Sequence, residues 1–541
     1  MTKAGCPYCF HPSFDGLKNF PPNQSRRQPQ VRIDQVRDRI HQLDATVAEL
    51  SRQRAALLQE LNTVQPPTSI IPAEILSLIF QFACPLPNVG FIAFSGRRTA
   101  GQDMQKAIKN SSHWYHTYII LGQVSTYWRQ ILLSTPQLWT SIHLNIDDKT
   151  ARSEAMFLGR FLNRSARLSL TLSLAYYYKG AVPTSTWVHG TVDTQLLENL
   201  LRTETLYLKD PPSTWFSHFP FLTELTYIYL DHIAAREGVL ELSLTHSPNL
   251  HKLAVIDVTI PIILPSPCLV TSLNIRGVPF DNLFHLLTQC PNLAELFIGN
   301  SLSPMVDFTP LPTERIIFEG LKELHLELGR WGGLLHDAFL DNIRLPSLKT
   351  LYLSGFIRTE ALLSVGDFLA NLPLGLSLLD ISEVEMSDPN LEIFALAISR
   401  LRDNTHIEYL GFRECGPSFI YDVLGTLVPH SDRELRFSHL RHIALDCVFF
   451  ETGDELQNDD REISLLLQRI IESRVNGSSE LFTVELQNLS DISDLHLDQQ
   501  ALAEFRGREN YIKDVSDFPL IQQVLAGLRG RGYNIEIVLD S

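Results

Sequence analysis

The sequence predicts an α/β chain in three stretches: a long helix with an apolar seam interrupted once, a small all-helical region, and a long array of strand-centred repeats. Three observations predict this. Apolar residues step 3-4-3-4 from Ile33 to Val64. Short helical stripes bounded by prolines fill Ile71 to Trp139, and beyond Leu222 an apolar-x-x-apolar-x-apolar unit recurs almost to the C-terminus. At 541 residues the chain is too long for one simple core, a limit that an elongated array evades.

Residues 1–30 are rich in Pro, Asn, Ser, Gln and Arg without periodicity, and disorder is expected there. Cys6-Pro7-Tyr8-Cys9 has the spacing of a redox dithiol, but that chemistry needs a strand before it and a sheet around it. With His11 the pair offers three zinc ligands and no second pair, so neither use is expected.

Residues 31–65 form the seam helix: Ile33, Val36, Ile40, Leu43, Val47, Leu50, Arg54, Leu57, Leu61 and Val64, with only Arg54 not apolar. Such a coiled-coil stripe must be buried, either in a homodimer, on a partner helix, or by folding back on the helices that follow. Gln65-Pro66-Pro67-Thr68-Ser69 ends it.

Residues 68–140 are the helical region. Pro72 stands where a first helical turn tolerates a missing N–H, and Ile75, Leu76, Ile79 and Phe80 follow at helical spacing. After a stretch of loop composition over 85–116 comes Leu121, Val124, Trp128, Ile131 and Leu132, ending at Ser134-Thr135-Pro136 before Leu138 and Trp139. Helices this short cannot bury a stable core alone and read as a docking element.

Residues 141–541 carry the array. Ser141 to Ile146 alternates as a strand, Met156 to Leu162 reads as a helix, and Leu168, Leu170, Leu172 and Leu174 alternate again. The repeat unit is placed at Leu222-x-x-Leu225, Leu250-x-x-Leu253-x-Val255, Val270-x-x-Leu273-x-Ile275 and Leu293-x-x-Leu296-x-Ile298. It continues through copies centred on Leu324, Leu351, Leu379, Leu410, Ile443 and Val484, with Thr205 to Leu208 as an earlier, degenerate one. Central residues lie 20 to 31 apart from Leu225 to Leu410, mostly 27 or 28, which is the leucine-rich-repeat range of one strand and one returning helix per unit. Without an asparagine ladder and with wandering lengths, an irregular solenoid is expected. Glu451 to Glu462 reads as an acidic loop, and Phe518 to Leu528 with Asn534 to Leu539 as a closing helix and strand. Residues alternating with the inward leucines face a binding surface for a target protein, among them Phe297, His325, Tyr352, Tyr409 and Arg413; Phe297, Tyr352, Tyr409 and Arg413 are types that anchor protein interfaces.

The segments Ile71-Pro72-x-Glu74-Ile75-Leu76-x-x-Ile79-Phe80, Val124-x-x-x-Trp128-Arg129-x-Ile131-Leu132 and Thr135-Pro136-x-Leu138-Trp139 resemble the F-box-like domain, in the version common in mushroom-forming fungi. Cys290-Pro291-Asn292-Leu293 is similar to the repeat start of F-box proteins with leucine-rich repeats. The resemblance implies a substrate-receptor subunit of a cullin-type ubiquitin ligase. Its Skp-type adaptor would be held by Pro72, Ile75, Leu76, Ile79, Val124, Trp128 and Leu132, and a target protein by the repeats. The alternative is a scaffold that recruits no ligase.

A net charge of −16 speaks against a nucleic-acid surface. No apolar run is long enough to span a bilayer, the N-terminus lacks a signal-peptide core, and seven scattered cysteines suit a reducing compartment, so cytoplasm or nucleus is expected. No phosphate loop, zinc-protease or nucleophile-elbow motif occurs, so neither catalysis nor a cofactor is expected.

Overall fold

The computed structural model describes residues 28–64, 71–83, 117–147, 151–177, 196–233, 241–299, 315–327, 339–355, 359–382, 398, 401, 406–413, 415, 417–428, 437, 439–446, 456–475, 482–487 and 535–540. Cys6, Cys9, the stretch 85–116, the helical stripe placed around Ile393 to Ala397 and the helix placed over 518–528 lie outside the described residues.

Helix α1 (Gln28–Val64) starts three residues earlier than the periodicity indicates, with Pro29 in its first turn, and stops ahead of Pro66-Pro67. Its seam lies open: from Ile33 to Leu61 the apolar seam residues are 49–65 % exposed. None of them is folded back under the helices that follow.

Helix α2 (Ala73–Ala83) begins directly after Pro72, whose carbonyl accepts from the Leu76 N–H at 3.0 Å. Residues 117–124 are helical, and Ser125 then caps α3 (Thr126–Ser134), its Oγ accepting from the Trp128 N–H at 3.1 Å. Thr135-Pro136 ends α3 and opens a 3-10 turn over Pro136–Trp139. Leu76, Phe80, Tyr118, Ile131, Leu132, Leu138 and Trp139 form this region's own core. Trp139 Nε1–H donates to the Leu132 carbonyl and the Tyr118 hydroxyl to that of Leu138, both at 2.9 Å, so the buried polar atoms of both rings are satisfied.

The rest of the described chain is built on one open parallel sheet. Its strands are β1 (Ser141–Asp147), β2 (Leu170–Tyr177), β3 (Thr203–Lys209), β4 (Tyr227–Asp231), β5 (Lys252–Ile256), β6 (Ser272–Arg276) and β7 (Glu295–Gly299). They continue as β8 (Glu323–Glu327), β9 (Thr350–Ser354), β10 (Leu378–Ser382), β11 (Tyr409–Arg413), β12 (His442–Asp446), β13 (Phe482–Gln487) and β14 (Ile535–Asp540). Spatial order equals chain order across all 14. Equal register then stacks like positions into rows: Leu253, Leu273, Leu296, Leu324, Leu351, Leu379 and Leu410 lie side by side, each at most 1 % exposed.

Helices α4 (Ala151–Arg164), α5 (Phe280–Thr288), α6 (Thr359–Ala370), α7 (Pro417–Leu427) and α8 (Leu456–Val475) lie between strands and supply buried side chains such as Leu158, Leu283, Leu369, Val423 and Ile470 to the same core. Not every unit returns through an α-helix. Leu242–Ser243 pairs with Ile262–Ile263, and Ile316–Ile317 with Ile343–Arg344, as short parallel bridges. Only 20 residues separate Leu253 from Leu273, too few for two strand halves, two turns and a full helix.

Two sequence expectations are corrected. The unit placed on Leu222 and Leu225 is three residues out of phase: Ile228 and Leu230 are the strand residues in register with Leu253 and Val255, and Leu225 occupies the turn before them. The adjacent Phe221 to Leu225 apolar pattern masked the true phase. The stretch read as an acidic loop over 451–462 is helical from Leu456 onward, as the first turns of α8, and 451–455 lie outside the described residues.

Candidate binding surfaces

Two surfaces present side chains suited to recognition. The first is the outer side of α2. Leu76 and Phe80 turn inward, while Ile75, Leu78, Ile79 and Phe82 are exposed, Phe82 to 84 %. Pro72 is exposed too, as are Ile120 and Val124 in the helical stretch 117–124. Of the seven residues expected on an adaptor surface, Pro72, Ile75, Ile79 and Val124 are outward. Leu76 and Leu132 are core residues at 1 % and 3 % exposure; their role is to hold the helices together, not to touch a partner. Trp128 is half-buried, with its ring 5.0 Å from that of Phe80. The exposed Leu78 and Phe82, seven and eleven residues after Ile71 on the same helical face as Ile75 and Ile79, were legible in the spacing but escaped the motif.

The second surface is the face of the sheet opposite the leucine rows. On β6 to β9 it carries a continuous stack: the Arg276 guanidinium lies 4.3 Å over Phe297, Phe297 is 5.6 Å from His325, and His325 is 4.0 Å from Tyr352. His325 Nε2 also meets Glu323 Oε1 at 2.7 Å, and that hydrogen bond holds the Glu323 carboxyl below its ordinary range. Burial pushes the Tyr352 hydroxyl up to about 12. On β11 to β13, Tyr409 lies 4.6 Å from His442, and His442 Nε2 lies 2.9 Å from Glu485 Oε2.

Two glycines open notches in this face. A Cβ on Gly411 would meet the Asp380 Cγ at 2.9 Å, and the space left by its absence lets Arg413 Nε reach Asp380 Oδ2 at 3.0 Å. A Cβ on Gly299 would meet Glu327 Oε2 at 2.6 Å, with Arg276 Cγ at 3.1 Å. Each notch therefore seats a carboxylate that is nearly buried, Asp380 and Glu327, close to an arginine. Burial works against both charges of the first pair. It wins at Asp380, whose pKa is raised, whereas at Arg413 the neighbouring carboxylate wins and holds the guanidinium charged.

The five residues singled out on this face are thus gathered in two groups: Phe297, His325 and Tyr352 in one stack, Tyr409 and Arg413 on one strand beside it. Phe297, at 7 % exposure, lies buried within the stack between Arg276 and His325 and offers little surface to a partner.

A third group, on β3 to β5, was missed because the phase of β4 was misplaced. Asp231 receives the Tyr207 hydroxyl and the Lys209 ammonium, both at 3.2 Å, and its Oδ1 lies 2.5 Å from His232 Nδ1. His232 Nε2 faces Asp257 Oδ2 at 3.6 Å. Asp210, His232 and Asp257 each follow a strand directly with positive φ, and their N–H groups donate to carbonyls of the next strand at 2.8 to 3.0 Å, so successive side chains line up. Burial favours neutral Asp231, but the His232 hydrogen bond and Lys209 outweigh it and hold the carboxyl low; the same bond raises His232. Asp231, His232 and Asp257 are the one cluster of three metal-type ligands among the described residues. The imidazole already spends both nitrogens between the carboxylates and Lys209 already neutralises Asp231, so the donor set suits an internal salt-bridge network better than an ion.

No helix among the described residues is long and apolar enough to cross a membrane. No protein-family model matches the chain, and no curated protein matches it.

Proposed function

We propose that the chain is a substrate-receptor subunit of a Skp–cullin–F-box type ubiquitin ligase, with α2, the stretch 117–124 and α3 as an F-box-like domain and the strand array as an irregular leucine-rich-repeat solenoid. The observation that carries the reading is the two-sided α2. A helix that spends Leu76 and Phe80 on its own small core still exposes Ile75, Leu78, Ile79 and Phe82. Exposed apolar side chains grouped on one helix mark a protein interaction site. The array supplies a second, chemically distinct surface: aromatic rings, histidines and two arginine–carboxylate notches, a composition that suits a protein target. A receptor of this kind does no chemistry itself. It raises the effective concentration of a target lysine beside a conjugating enzyme.

The test is retention of the purified chain by an immobilised Skp-type adaptor. Wild type is expected to be retained, and Ile75→Asp with Ile79→Asp to abolish retention without changing the circular dichroism spectrum. Failure of the intact chain to bind the adaptor would leave a scaffold without a ligase.

A further inference from the structure

The seam of α1 is the longest exposed apolar feature among the described residues that neither surface uses. We infer that α1 forms a parallel two-stranded coiled coil with α1 of a second copy of this chain, an inference independent of the ligase reading.

The chemistry of the seam selects both the number of strands and their direction. Ile33, Ile40, Val47, Arg54 and Leu61 occupy one of the two alternating seam positions, and Val36, Leu43, Leu50 and Leu57 the other. β-branched residues in the first position with leucine in the second favour two parallel strands, and one polar residue in the first position fixes the register. Arg54 is that residue. In a parallel pair the two copies of Arg54 share one layer, and their long stems run outward along the seam. In an antiparallel pair with fully overlapping seams each would lie near Ile40 of the other helix, placing guanidinium groups in two aliphatic layers.

Charge agrees with this arrangement. Arg39 and Asp44, both exposed, flank the seam at the spacing that brings Arg39 of one strand against Asp44 of the other, twice by symmetry. Ion pairs within α1, such as Arg37 with Asp34 and Arg52 with Glu49, use other residues. The area suffices as well. Eight described apolar seam residues, each about half exposed or more, would cover roughly 700 Å² per helix, close to the ~800 Å² per partner of a stable interface. The helix is 37 residues long, or about 55 Å, enough for more than four heptads in contact.

The test is the mass of the full-length chain by light scattering, with three variants. Wild type is expected at twice 61.3 kDa, and Leu43→Asp/Leu50→Asp at 61.3 kDa with an unchanged near-ultraviolet spectrum. Arg39→Glu is expected to weaken the dimer by about ten-fold, and Arg39→Glu/Asp44→Arg to restore it. Leu57→Cys, away from the midpoint of the seam, is expected to give a reducible cross-linked dimer that wild type does not give. A monomeric wild type, a dimer that survives Leu43→Asp/Leu50→Asp, or a higher oligomer would overturn the inference. A dimer in which Leu57→Cys fails to cross-link would overturn its parallel direction.

Discussion

Replacing Arg413 with methionine removes the cation 3.0 Å from Asp380 while keeping much of the side-chain volume. Asp380 is 3 % exposed and its pKa is already raised by burial, so without its partner the carboxylate is left charged in a poorly hydrated notch. Breaking a buried pair by removing one partner costs about 3–5 kcal/mol. Arg413 keeps 38 % of its side-chain exposure, so water screens part of the interaction, and about 2 kcal/mol is the expected loss. The sign with pH follows from the direction of the shift. A carboxyl whose folded pKa lies above its unfolded value binds more protons folded than unfolded, so its contribution to stability falls as pH rises through that interval. Losing Arg413 widens the interval, so the variant should lose stability from about pH 4 towards neutrality more steeply than wild type. Urea unfolding at several pH values measures this. Asp380→Asn/Arg413→Met should recover most of the loss, because an amide in the notch carries no charge. A loss below about 0.5 kcal/mol, or a double variant no better than Arg413→Met, would refute the account of the notch.

Three further outcomes follow from the same geometry. Phe80→Ala, at the centre of the helical core, should cost about 3–5 kcal/mol, read as early loss of Trp128 and Trp139 fluorescence change on denaturation, whereas Phe82→Ala should leave stability within about 0.5 kcal/mol. Gly277 has φ +60°, and a Cβ there would sit 1.9 Å from Asp257 Oδ1; Gly277→Ala should destabilise by about 1–3 kcal/mol, and pairing it with Asp257→Ala should relieve the steric share. His232 has a folded pKa above its ordinary value through its bond to Asp231, so its stabilisation is complete below about pH 6.5 and fades as pH rises through the folded pKa. His232→Ala should therefore flatten the melting temperature between about pH 6 and 8.

Much of this architecture was legible because parallel strands in equal register demand like residues at like positions. A leucine misplaced by one residue would turn to the wrong face, so the phase from Leu253 to Val484 had to persist, and reading it located the strands from β5 to β13. The phase failed at β4, where Phe221, Leu222 and Leu225 offer a second apolar pattern just ahead of Tyr227 to Asp231. That slip hid Lys209, Asp231, His232 and Asp257, whose proximity depends on neighbouring strands and left-handed residues, not on sequence spacing. The aromatic stack was visible residue by residue, but the notches were not: a glycine in a strand does not announce which carboxylate will occupy the room beside it. On α2, helical periodicity found the stripe yet could not divide it, since Leu76 and Ile75 look equally apolar until a packing partner chooses between them.

Helix α4 ties the two parts of the molecule together. Ala155, Leu158 and Leu162 belong to the sheet core, while Phe161 lies 4.9 Å from Trp139 and 6.3 Å from Tyr118 on the helical side, and the Arg164 guanidinium covers the Trp139 ring at 4.5 Å. One residue, Thr140, separates the 3-10 turn from β1. The joint is thus welded by packing, with no free linker between the helical core and the sheet. If the chain is the receptor proposed above, such a joint would make position on the target, more than sequence around the lysine, decide which side chain is modified. Loosening the weld at Phe161 would be expected to blur that choice before it weakened either grip.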